Sequence, residues 1–299
     1  MGKASRIKQQ SAREKIAAQR EAARRQERRN RVLITGGSTL AVLVIVLAFI
    51  LVKATQGSPS SGGNTAVTGT LLPASVSSQV TKVPPAALDR VGKGAVPAFL
   101  QGQPAFTAGS GGTLTSGSKP EMLYIGAEYC PYCAATRWSM AIALSRFGTL
   151  SPLHGIHSSA TDTDPNTATL TFYKTTYTSK YLTFTPVEVQ NVSRGPLQTP
   201  TSAQNAIWAK YEPDANTRGY PFISFGNKLV LKGPIYDAGI LQGKTWSQVA
   251  AALKEPSSPI AQSVDGAANY ITGAICQMTN NQPASVCGTA AVTAVKSGL

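Results

Sequence analysis

EMLYIGAEYCPYCAATRW, residues 121–138, is the stretch on which the fold turns. After Glu121 it runs apolar to Ala127, a short unbroken patch that predicts a buried β-strand. Two cysteines three apart come next, and from Pro131 to Phe147 the pattern is helical. Trp138, Ile142 and Ser145 share one stripe, Met140, Leu144 and Phe147 another, and Gly148 is a natural stop. The pair Cys130–Pro131–Tyr132–Cys133 therefore sits at a strand-to-helix junction. A thiol placed there faces unpaired backbone N–H groups and the positive end of the helix dipole, so its pKa falls. Its thiolate can attack a disulfide, and the second cysteine can resolve the mixed disulfide. Cys130 is the expected nucleophile and Cys133 the resolving thiol. Pro131 fits the first helical position, where its missing N–H would have had no partner.

Two other uses of the pair compete with this one. A zinc site needs a second ligand pair, either His154 and His157 or Cys276 and Cys287. His154 and His157 lie in a predicted strand, where positions three apart point to opposite faces. A purely structural disulfide is the other use, common in exported chains. The strand–CxxC–helix context favours redox chemistry, and neither a metal nor a cofactor is called for.

Downstream, residues 153–160 read as a strand, and 169–190, dense in Thr, Tyr, Phe and Val, as extended structure. Residues 202–212 read as a helix. RGYPFISFGNKLVLKG (218–233) reads as strand, tight Gly226–Asn227 turn and strand. Two helical stretches, 245–254 and 260–278, close the pattern, which is that of an α/β sandwich. Cys276 and Cys287 are expected to pair in an oxidising compartment, with a second redox pair as the alternative. Asp162-Thr163-Asp164-Pro165-Asn166 mimics the start of a calcium loop but lacks its glycine and its closing glutamate, and reads as a turn.

Upstream, the chain's net charge of +14 is concentrated: residues 1–31 hold eleven Lys/Arg and three Glu. The rest carries no basic stripe interleaved with aromatics, so nucleic-acid binding is not indicated. Residues 32–52 are 21 positions without a charge, and about 20 suffice to cross a bilayer. Basic residues crowd the N-terminal side of this run, which predicts a single-pass anchor with a cytoplasmic tail and the remainder outside; a cleaved signal peptide is the alternative. Residues 53–95 are rich in Ser, Gly, Thr, Pro and Ala and predict a flexible linker. The exported domain is then expected over 96–299.

One further pattern carries a resemblance. Tyr220-Pro221-Phe222-Ile223-Ser224-Phe225-Gly226-Asn227 has the layout of the thioredoxin-fold loop that faces CxxC, a cis-proline leading a strand and a glycine turn. Together with YIGAEYCPYCAATRW, TSKYLTFTPVE and ICQMTNNQPASVC, it resembles the uncharacterised actinobacterial and archaeal family called domain of unknown function 929, over roughly residues 97–287. The resemblance implies an α/β, thioredoxin-like fold with an inserted strand-rich segment. It gives Cys130, Cys133 and Pro221 the roles of nucleophile, resolver and substrate-loop proline, with Tyr132 and Tyr220 flanking the bound substrate. Three positions depart from thioredoxins: Tyr124 replaces the buried acid six residues before the first cysteine, the dipeptide is Pro-Tyr, and bulky Tyr220 precedes the proline. Glu128 reads as solvated, with an inward position that would raise the Cys130 pKa as the alternative. The functional expectation is a membrane-anchored, extracytoplasmic thiol–disulfide oxidoreductase of oxidase or isomerase type, acting on exported protein thiols and disulfides. The alternative is a non-catalytic ectodomain whose Cys130–Cys133 disulfide is only a staple.

Overall fold

The computed structural model describes residues 68–299. The basic tail, the expected span at 32–52 and the first part of the expected linker lie outside them. Among the described residues no helix is long and apolar enough to cross a membrane.

The composition predicts a tether up to residue 95, but the chain is folded well before that. A short strand, β1 (Thr70–Leu71), is followed by helices α1 (Ala74–Thr81), α2 (Pro85–Val91) and α3 (Val96–Leu100). The reason is visible once composition is set aside. Leu72, Val76, Val80, Val83, Ala87 and Val91 recur every three or four residues, and all are buried. The prolines start helices instead of breaking them: Pro73 and Pro84 are N-caps, and Pro85 is the first residue of α2.

The chain continues through β2 (Thr107–Ala108), β3 (Thr115–Ser116), β4 (Lys119–Gly126) and α4 (Pro131–Ser145). Four strands follow: β5 (Gly148–Ser151), β6 (His154–His157), β7 (Ala168–Thr171) and β8 (Thr176–Ser179). Then come β9 (Thr183–Glu188), α5 (Ser202–Tyr211), β10 (Phe222–Phe225) and β11 (Leu229–Lys232). Helices α6 (Trp246–Ala252), α7 (Pro259–Met278), α8 (Ala284–Cys287) and α9 (Ala290–Val295) complete it.

The main sheet is mixed. β4 lies at its centre, parallel to β9, with Glu121 opposite Thr183 and Gly126 opposite Glu188. On its other side β10 is antiparallel, Phe222 facing Ile125. β11 returns beside β10 through the Gly226–Asn227 turn, where both residues have positive φ, 60° and 62°, as the two central positions of a type I′ turn require. β2 extends the β11 edge, and β3 pairs with the first residues of β4. The segment between α4 and β9 builds two separate small sheets: β5–β8, and β6–β7, which the early strand β1 joins alongside β6.

Alternation along the strands divides the core in two. Met122, Tyr124, Ile223, Phe225 and Leu231 join Trp138 and Ile142 of α4 and Ile271 and Ile275 of α7. Leu123, Ile125, Phe222 and Val230 pack instead with Trp208 of α5. Helices thus cover both faces, an α/β sandwich. α4 has almost no polar face: Cys133 through Leu144 are all buried. The ends of the domain clasp each other. Asn269 of α7 donates to the carbonyls of Leu88 and Gly92, at 2.9 and 2.8 Å. Asp89 of α2 accepts from the Ala291 amide in the first turn of α9, at 2.8 Å.

Cys276 and Cys287 form a disulfide, eleven residues apart in sequence, that ties the end of α7 to α8. Closing a loop of that size is worth about 3 kcal/mol through the unfolded state. The double substitution Cys276→Ser/Cys287→Ser is therefore expected to lower unfolding stability by about that amount, read from urea unfolding as a lower midpoint with a steeper slope, since the unfolded chain is no longer cross-linked.

Candidate functional site

β4 ends at Gly126, and the three residues to Tyr129 lead into α4. Within that loop the Glu128 amide donates to the Gln190 carbonyl (2.8 Å) and the Cys130 amide to Ala127 (3.2 Å). Cys130 is the N-cap of α4, in extended backbone geometry, and its Sγ accepts from the Cys133 amide at 3.3 Å. A sulfur thus occupies the place usually filled by a hydroxyl or carboxylate cap. Cys130 and Cys133 are free thiols. The hydrogen bond from the Cys133 thiol is the largest influence pulling the Cys130 pKa down; the Cys133 and Tyr132 amides and the Arg137 charge add to it, against burial. Cys133 goes the other way: burial, then its contact with Cys130, holds it well above the ordinary thiol range. The pair is split into one thiol poised to ionise and one held protonated.

Across from the sulfur stands the loop leading into β10. The Tyr220–Pro221 peptide is cis, and the Tyr220 carbonyl oxygen lies 3.9 Å from Cys130 Sγ. Cys130, Cys133, Tyr220 and Pro221 therefore meet in one place, although ninety residues separate the two halves. Tyr132 is 40% exposed beside them.

The sulfur is more covered than the sequence reading expects of a nucleophile. Cys130 is 5% exposed, beneath an aromatic wall. Tyr129 meets Tyr220 edge-on with centroids 6.5 Å apart, and Trp208 backs Tyr220 at 5.4 Å. The Arg194 guanidinium lies 3.8 Å over the Tyr129 ring while pairing with Asp162 at 2.6 Å. Burial pushes the Tyr220 phenol up to about 12. Tyr129, Arg194, Asp162 and Trp208 escape the sequence reading because they stand on three different loops and the helix α5, with no spacing that links them.

Two more departures concern charge. Glu128 is not solvated: it is fully buried, and Oε1 accepts from the hydroxyls of Thr68 and of Thr171, the latter at 2.5 Å. Burial raises its pKa. It turns inward from the loop toward Thr171 at the end of β7 and Thr68 just before β1. Beneath the loop lies an ion pair that sequence reading misses. Arg137 Nε and Nη2 donate to Glu188 Oε1 and Oε2, both at 2.8 Å, and Nη2 also donates to the Ala127 carbonyl at 2.7 Å. Both side chains are fully buried. The available signal was a lone cation in the middle of an otherwise apolar helix, a position occupied only when a partner is present.

The Cys276–Cys287 disulfide belongs to the main apolar cluster, whereas Cys130 and Cys133 form a small separate cluster with Ala127. Among the described residues no group of three or more His, Cys, Asp or Glu side chains is arranged to hold a metal ion.

No curated protein and no solved structure matches the chain. The sequence profile of a family described as Domain of unknown function (DUF929) matches residues 106–277, more than half of the 299 residues. That segment holds β4, the whole of α4, the Tyr220–Pro221 loop and the Arg137–Glu188 pair, and by this match the chain belongs to the DUF929 family.

Proposed function

We propose that the domain is a thioredoxin-like thiol–disulfide oxidoreductase of oxidase or isomerase type, held outside the cytoplasm by the span at 32–52. The observation that carries this reading is the Cys130 sulfur capping α4, 3.3 Å from the Cys133 amide and 3.9 Å from the carbonyl before a strand-leading proline. Support for the thioredoxin-like fold comes from the order β9–β4–β10–β11 with α4 following the central strand. The β5–β8 segment is then the insertion. In the oxidising direction a client thiolate attacks Cys130 of the Cys130–Cys133 disulfide, and Cys133 leaves. A second client thiol then displaces Cys130. Two electrons pass from client to protein, and a disulfide-bearing partner restores the pair. Lowering the Cys130 pKa stabilises the reduced pair and so favours this direction.

The burial of Cys130 favours a second reading, in which the pair is a structural staple in a partner-binding ectodomain. The reduction potential separates the two. An active pair is expected above about −300 mV and a staple below it. In cells, Cys133→Ser is expected to accumulate mixed disulfides with exported proteins, and Cys130→Ser to accumulate none. Equal trapping by both variants, or by neither, would sink the redox reading.

A further inference from the structure

Beneath the reactive loop two hydrogen-bond donors are left unused. Tyr124 Oη and Arg137 Nη1 are both buried, and neither has a hydrogen-bond partner among the described residues. Leaving such groups unmet costs about 1–3 kcal/mol each, so their position calls for a reason. Both side chains border the backbone at Gly126 and Ala127. The Tyr124 phenol lies across Gly126, where an added Cβ would come within 2.0 Å of Oη. Arg137 is bonded to the next carbonyl, Ala127, and to Glu188, which faces Gly126 across the sheet. Cys133 stands one turn before Arg137 on the same face of α4 and is fully buried. The charges that act on the Tyr124 phenol are those of Arg137, Cys133, Glu188 and Cys130. The remaining titratable groups around this spot are Glu128 and Tyr220.

We infer that Tyr124 Oη and Arg137 Nη1 form a donor pair held ready for the Cys133 thiolate, and that Tyr124 is a positioning residue for the resolving half of the redox cycle. This rests on the thiol–disulfide reading above. In resolution, a mixed disulfide between Cys130 and a client sulfur meets the Cys133 thiol. Cys133 gives up its proton, its sulfur bonds to Cys130, and the Cys130–client bond breaks. The client sulfur leaves with the electron pair and takes up a proton, so the products are the Cys130–Cys133 disulfide and a client thiol. In the oxidising direction Cys133 is the leaving group. Either way a thiolate forms transiently at a site where burial opposes it. Buried donors that have no competing partner can turn to that sulfur as its charge forms, without water having to enter. Unused donors in the resting dithiol are what such an arrangement leaves behind. A carboxylate at position 124 would instead be a second acid beside Glu188.

The test uses Tyr124→Phe in the full chain, with dithiobis(nitrobenzoate) as the probe after selective reduction of the Cys130–Cys133 pair. Attack by Cys130 releases one nitrothiobenzoate, and resolution by Cys133 releases the second. In Tyr124→Phe the first release is expected to keep its rate within about twofold, and the second to slow by about tenfold, the loss of one hydrogen bond to a charged sulfur. The pH profile of the second phase should move to higher pH, because the thiolate has lost a donor. Thermal stability should hold or rise, since the deleted hydroxyl had no partner. A second phase with unchanged rate and pH profile would overturn the inference while leaving the redox reading intact. Absence of the first release in the unmodified protein would remove the redox reading itself.

Discussion

Arg137→Met is expected to cost about 3–5 kcal/mol of folding stability, because it strands Glu188 as an unpaired carboxylate in the interior. All three hydrogen bonds of the guanidinium would go, two to Glu188 and one to Ala127. The double variant Arg137→Met/Glu188→Leu should recover much of the loss, since a buried pair replaced by apolar groups of similar volume is often nearly neutral. A double-mutant cycle by urea unfolding measures this; two equal and additive losses would contradict it. The Ala127 contact gives the pair a second consequence. Ala127 opens the loop that delivers Cys130, so the double variant, though stable, is expected to alkylate less selectively at Cys130.

Asp265 predicts the second large effect. It is fully buried on α7, neither oxygen has a hydrogen-bond partner among the described residues, and burial pushes its pKa up to about 8. In the unfolded chain an aspartate titrates near 3.9. Between those values the folded state holds a proton that the unfolded state has released. Stability contributed by this group is therefore complete below about pH 4 and falls by about 1.4 kcal/mol per pH unit as pH rises toward 8. Asp265→Asn is expected to flatten that part of the stability–pH curve and to stabilise the protein most near pH 8. An unchanged slope in Asp265→Asn would place the pH dependence elsewhere.

Much of this architecture could be read from residues 121–138 and 218–233, and the reason is that their signals are local. An unbroken apolar strand, a proline at a helix start and two glycine-turn residues each fix a backbone geometry within a few positions. The helices α1 and α2 were hidden by the opposite effect. Their apolar spacing was regular, but they sit in a stretch, 53–95, rich in Ser, Gly, Thr, Pro and Ala, and prolines that cap helices look like prolines that prevent them. The site was half legible. Cys130, Cys133, Tyr220 and Pro221 carry their own motif, whereas Arg137–Glu188 and the Tyr129–Arg194–Asp162 contact depend on loops closing over distances that no spacing encodes. Glu128 shows the limit most plainly: nothing near it in sequence reveals that Thr68 and Thr171 would receive it.

The clasp between the two ends of the domain sets the boundaries of what can fold. A chain cut to the family segment, 106–277, would lose α2, α3 and α9, all of which pack on α7, together with Asp89, Ala291 and the sulfur that Cys276 needs. The apolar surface of α7 that those helices cover would be left facing water. The piece that defines the kinship is thus smaller than the piece that can stand alone, and the residues that complete it come from both flanks at once.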